Sequence, residues 1–252
     1  MAALNIPGVK FVNPKSEVNH SYGIYGHFNT GKTHLMADAA MYYMDKGMSV
    51  IYVITPEEDP MATLEKFDLG QIAVQVEDGK EFESLMGKIK GKVDVCILDS
   101  IKGMNRMAMD KAIGKDRYPA ESKDWGPAHD AFSSLAGVWK RATPISIFVC
   151  PADRSSDSFT NPNQKTPNLI TCDLPGKMAA GIQGLVSHIG YLTAERNSKT
   201  GQREREVTFV PEKHLLSCAR SLTREMTESI KLDLGREGNW AKIMEAFEEH
   251  RG

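Results

Sequence analysis

Eight consecutive residues, Gly26-His27-Phe28-Asn29-Thr30-Gly31-Lys32-Thr33, have the types and spacing of a loop that holds a chain of phosphates. Its glycines let the backbone wrap closely around an anion, and successive N–H groups supply positive potential. The lysine after the second glycine is suited to reach the β- and γ-phosphates of a nucleoside triphosphate. The Thr33 hydroxyl beside it is suited to ligate Mg²⁺. Nucleotide contacts are expected from Gly26 through His34. The plainer alternative is a glycine turn before a helix.

Such a loop needs a second carboxylate to organise Mg²⁺, at the end of a neighbouring buried strand. Asp99, closing the run VDVCILDS (93–100), meets that demand, although an aspartate after a strand is also a common helix cap. Ser100 either completes the metal site or begins the turn. Hydrolysis requires, in addition, a group that activates water beside the γ-phosphate. Glu57 and Glu58 follow the run SVIYVI (49–54), at what would be the sheet's carboxyl edge, where ligands of α/β proteins bind. Glu57 is favoured over Glu58. The competing reading makes both of them first-turn charges of a helix starting near Pro60.

These residues need a frame, and the chain has the alternation to build one. Strands are expected at 21–26, 49–54, 71–76, 93–100 and 144–150. Helices are expected at 32–46, stopped by Gly47, from Asp59-Pro60 to Phe67, at 81–90, at 128–142 and at 239–250. Polar stretches cover 113–127 and 154–177, and the runs around RNSKTGQ (196–202) read as a hairpin. Together they predict an α/β fold with a mostly parallel central sheet, flanking helices and an antiparallel C-terminal hairpin. Residues 1–221 are read as the core and 222–252 as a helical tail packed on it.

Bulk properties narrow the function classes. A chain of 252 residues is long enough for one sizeable core, and a net charge of -2 argues against a protein that coats nucleic acid by global charge. The four cysteines (Cys96, Cys150, Cys172, Cys218) are scattered without metal-ligand spacing, as expected of reduced apolar residues in a cytoplasmic protein. No apolar run approaches membrane-spanning length, so no membrane association is expected.

A strand, GxxxxGKT, a helix, a second strand running into Glu57, and then ILDS resemble the RecA-type core ATPases. The nearer resemblance is to short phage-encoded RecA-core ATPases, among them annealing-type recombination proteins. It spans roughly residues 9–220, with the phosphate loop and the ILDS strand as its specific parts. The resemblance implies an ATP hydrolase using ATP and Mg²⁺, assembled as a homo-oligomeric ring or filament in the host bacterium's cytoplasm. It implies single-stranded DNA contacts through 113–127 and 154–177, and a single-strand-binding protein as a candidate partner. Lys213 and Arg220 fall where such proteins place cations that reach a neighbouring subunit's nucleotide, with Arg196, Arg203 and Arg205 as rivals.

Two features depart from that pattern. Where RecA-like proteins usually carry a polar sensor, this chain has Cys150-Pro151-Ala152-Asp153. The two polar segments are also nearly balanced in charge: Lys115, Arg117 and Lys123 stand against Asp116, Glu121 and Asp124, and Arg154, Lys165 and Lys177 against Asp157 and Asp173. Binding to phosphates draws mostly on uncompensated cations. Tyr118, Trp125 and Phe159 are suited either to stack on bases or to anchor their segments. A P-loop ATPase that remodels a protein partner is therefore the alternative. A small-molecule phosphotransferase ranks third, because no Arg-rich lid is evident.

Overall fold

The computed structural model describes residues 20–56, 58–115, 122–153, 170–198, 200–210, 218–219, 226–233 and 237–251. The β-branched runs form β1 (His20–Gly26), β2 (Val50–Ile54), β3 (Ala73–Gln75), β4 (Val95–Asp99), β5 (Ile145–Pro151) and β6 (His188–Arg196). All pair in parallel. Strands β7 (Arg203–Thr208), β8 (Cys218–Ala219) and β9 (Ile230–Leu232) are antiparallel to their neighbours. The order is β3-β2-β4-β5-β1-β6-β7-β9, with β8 added on β6. This is the expected α/β architecture, a mostly parallel sheet with antiparallel C-terminal strands.

Helices cover both faces. On one lie α1 (Lys32–Asp45), α2 (Met61–Lys66) and α7 (Asn239–Arg251); on the other lie α3 (Gly79–Ile89), α4 (Ile101–Ile113), α5 (Ser122–Lys140) and α6 (Gly176–Leu185). All five residues of β4 are buried. Val95 and Ile97 join the α1/α7 core, while Cys96 and Leu98 join the α3–α6 core with Phe82, Leu135 and Trp139. A strand covered on both sides has no polar face, which is why its sequence reads as one apolar run.

The C-terminal end is fastened to α1 by an unusual device. Asp38, buried in the middle of α1, accepts from Gly238 N (2.8 Å) and Trp240 N (2.6 Å), so a carboxylate inside α1 caps the start of α7. Trp240, Ile243 and Phe247 then pack into the same core.

Several elements differ from the sequence expectations. Helix α4 follows β4 directly, in a stretch whose methionines and polar residues disguise its pattern. Helix α5 starts at Ser122 and tolerates Pro127 inside it, so the polar stretch from 113 ends in a helix. Residues 170–174 return beside β5 through an Ala152–Cys172 bridge, and α6 occupies the end of the second polar stretch. Helix α2 begins one residue later than expected, after Pro60, with Asp59 Oδ1 accepting from Met61 N at 3.4 Å.

Candidate nucleotide site

The phosphate loop lies where β1 ends and α1 begins, at the carboxyl edge of the sheet. Gly31, at φ 99°, turns the chain into the helix through a left-handed conformation that suits glycine. No side chain caps the N-terminus of α1, and its first turn carries no acid. The N-terminal amides and the positive end of the helix dipole therefore meet no competing anion from their own segment, as phosphate binding requires.

Lys32 Nζ donates to the carbonyls of Gly26 (2.8 Å) and His27 (2.7 Å), holding its ammonium at the mouth of the loop. Burial lowers its pKa, against the attraction of Asp99. Thr30 is fixed by its own hydroxyl, which donates to His27 O at 2.9 Å. Phe28 is 54% exposed with Lys32 Nζ 5.9 Å from its ring, and the His27 ring meets Tyr191 edge-on. His34 packs its ring on Phe67, and burial, then the nearby Lys66, lowers its pKa.

Asp99 stands opposite, two strands away across β5. Its Oδ2 accepts from Thr33 Oγ1 (3.1 Å) and Tyr52 Oη (2.7 Å). Burial pushes its carboxyl up to about 6, a shift that the two hydroxyl donors oppose. Ser100, which follows through a cis peptide, donates from Oγ to Glu58 Oε1 at 2.6 Å. Its backbone is gripped by Thr55, whose Oγ1 donates to Ser100 O (2.9 Å) and accepts from Ser100 N (2.8 Å). Thr33, Asp99, Ser100 and Glu58 thus line one cleft of about 360 Å³ with the phosphate loop.

The donor set fits Mg²⁺ bound in the P-loop manner. Thr33 and Asp99 offer one hydroxyl and one carboxylate, and Mg²⁺ fills its octahedron with phosphate oxygens and water rather than an all-protein cage. Among the described residues, no group of three His, Cys, Asp or Glu is placed to hold a metal by itself.

The sequence-level candidates divide clearly. Phe28, Asn29, Gly31 to His34, Glu58 and Asp99 line the cleft, Gly26, His27 and Thr30 belong to the loop beside it, and Glu57, Lys213 and Arg220 lie outside the described residues. Of the rival cations, Arg196 closes the hairpin turn by donating to Gly201 O (3.1 Å). Arg203 and Arg205 reach the phosphate loop of their own chain. Pro151, at the end of β5, lines the cleft. Trp125 is 40% exposed on the first turn of α5; Tyr118 and Phe159 lie outside the described residues. Sequence reasoning missed Tyr52 and Thr55. A tyrosine inside an otherwise aliphatic buried strand was the available signal, since its hydroxyl must find a partner.

Fold and site together define an α/β domain with a phosphate-binding type of loop at the carboxyl edge of a mostly parallel sheet. No protein-family model matches the sequence, and no curated protein does. Among solved structures the chain is similar to the flagellar accessory protein FlaH from Methanocaldococcus jannaschii, with 15% identity, 85% of each chain covered and a TM-score of 0.47.

Proposed function

We propose that this chain is a Mg²⁺-dependent ATPase of RecA-like type that binds single-stranded DNA in phage DNA recombination, annealing or replication. The observation carrying the ATPase reading is the convergence of Lys32, Thr33, Asp99 and Glu58 on one cleft at the loop's mouth. Lys32 supplies positive charge to the terminal phosphates. Asp99 and Thr33 would hold Mg²⁺, which when bound neutralises charge on those phosphates. Glu58, oriented by Ser100, accepts the proton of an attacking water, with Glu57 as the rival base.

The DNA reading rests on motif order and on where the second polar segment is rooted. Ala152 N donates to Gly26 O at 2.9 Å, Asp173 N to Pro151 O at 2.8 Å, and Ala152 bridges Cys172. A ligand gripping 154–177 would thereby pull directly on the first residue of the phosphate loop. Assembly into a ring or filament would bring Lys213 or Arg220 to a neighbour's nucleotide. The near-neutral charge of both segments favours a second reading, a protein partner in place of DNA.

An ATPase assay with and without single-stranded DNA, alongside sizing with an ATP analogue, tests both. DNA-stimulated turnover or DNA-induced assembly supports the first reading. Absence of DNA binding at low salt with the analogue present would sink it, and nucleotide-dependent capture of a defined protein would favour the second. Lys32→Ala is expected to lower turnover at least about a hundredfold.

A further inference from the structure

The hairpin does more than extend the sheet. Strand β6 pairs with β1 as far as Tyr25–Tyr191 and then runs on past the end of β1, carrying β7 with it. The overshoot lays the hairpin along the phosphate loop at three successive points. At Gly26 the contact is with β6 itself: a Cβ there would lie 2.3 Å from Leu192 O, so this glycine is needed for the close approach of a strand, whatever it does for phosphate. At Asn29 the carbonyl accepts from Arg203 Nη1 at 3.1 Å. At Thr30 the carbonyl accepts from Arg205 Nε, also at 3.1 Å.

Arg203 and Arg205 are two apart on a strand, so both project from the same face, and they take consecutive loop carbonyls. Asn29 has a φ of 62°, a left-handed conformation uncommon for a residue with a side chain. The carbonyl of that residue is the one Arg203 holds. A loop whose amides must converge on an anion has to turn carbonyls elsewhere, and the two guanidinium groups receive them while adding positive charge beside the loop.

From this arrangement we infer that Arg203 and Arg205 are positioning residues of the nucleotide site, acting within their own chain to hold the phosphate loop in its binding shape. The inference rests on the phosphate-loop reading. It assigns these arginines a role different from the trans-acting one that their place in the sequence suggested.

The test compares wild type, Arg203→Ala, Arg205→Ala, the double variant, Arg205→Lys and Lys32→Ala. The readouts are affinity for a fluorescent ATP analogue with Mg²⁺, melting temperature without nucleotide, and amide exchange at 27–31 without nucleotide. The double variant is expected to bind the analogue about tenfold or more weakly. Its nucleotide-free melting temperature should be unchanged, and exchange at 27–31 faster. Arg205→Lys, which keeps the charge and loses the guanidinium geometry, should recover part of the affinity. The loss should persist at concentrations where the protein is monomeric.

Wild-type affinity in the double variant overturns the inference. So does an affinity loss that only parallels a fall in melting temperature across the single variants, or one that appears only in assembled protein, which would mark a trans role. If Lys32→Ala binds nucleotide normally, the phosphate-loop reading itself falls. If Lys32→Ala fails to bind while the arginine variants bind normally, only the positioning role of Arg203 and Arg205 falls.

Discussion

Asp99 carries two opposed demands. A carboxylate with almost no solvent contact is costly to keep charged, and two hydroxyls, from Tyr52 and Thr33, are spent on its Oδ2. Asp99→Asn should therefore leave the nucleotide-free protein as stable as wild type or more so, by denaturant midpoint at pH 8, while abolishing Mg²⁺-dependent turnover. A marked loss of stability would show that the carboxylate is needed for folding. Glu58→Gln should lower kcat by about 10²–10⁴-fold while nucleotide affinity is kept. Glu57→Gln, measured in parallel, decides which glutamate accepts the proton. At this scale the sequence was informative wherever chemistry demands a fixed spacing, as from Gly26 to Thr33 or at Asp99 after four apolar residues. Tyr52, Thr55 and the arginine contacts escaped because they depend on which strands become neighbours, a long-range outcome that local spacing does not encode.

Among the elements, α3 shows how a short signal sets a boundary. Asp78 Oδ1 accepts from Lys80 N (2.8 Å) and Glu81 N (2.9 Å), and Glu81 reaches back to Glu77 N (2.9 Å). The amides of Glu81 and Lys80 hold the Asp78 carboxyl below its usual range. Because the folded pKa is depressed, the cap's contribution is present above the unfolded value and is lost as pH falls through the folded one. Asp78→Ala should lower the melting temperature at pH 7, and the gap to wild type should close below about pH 4. Strands and long helices were readable from period and β-branching. Helix α4 was not, because it begins at once after a buried strand and mixes methionines with polar residues, and α5 hid its first turns behind Pro127. Strand β9 is three residues long, too short to carry a period.

At the scale of the whole molecule, the chain's last helix is tied to the helix that begins at the phosphate loop. Trp240→Ala removes a fully buried indole from that junction and should cost about 3–5 kcal/mol of stability in denaturant titration, with Phe247 and Ile243 left to cover the gap. A near-neutral result would mean that α7 is dispensable to the core. The three tryptophans fall in separate surroundings, Trp139 and Trp240 buried in opposite layers and Trp125 partly exposed within the first polar segment. The protein thus carries a built-in optical reporter. Its two buried indoles should emit in the blue and resist iodide, while Trp125 alone emits toward the red and is quenched. A strand of DNA or a protein settling on 113–127 would be seen as protection of that single red component, with no label attached.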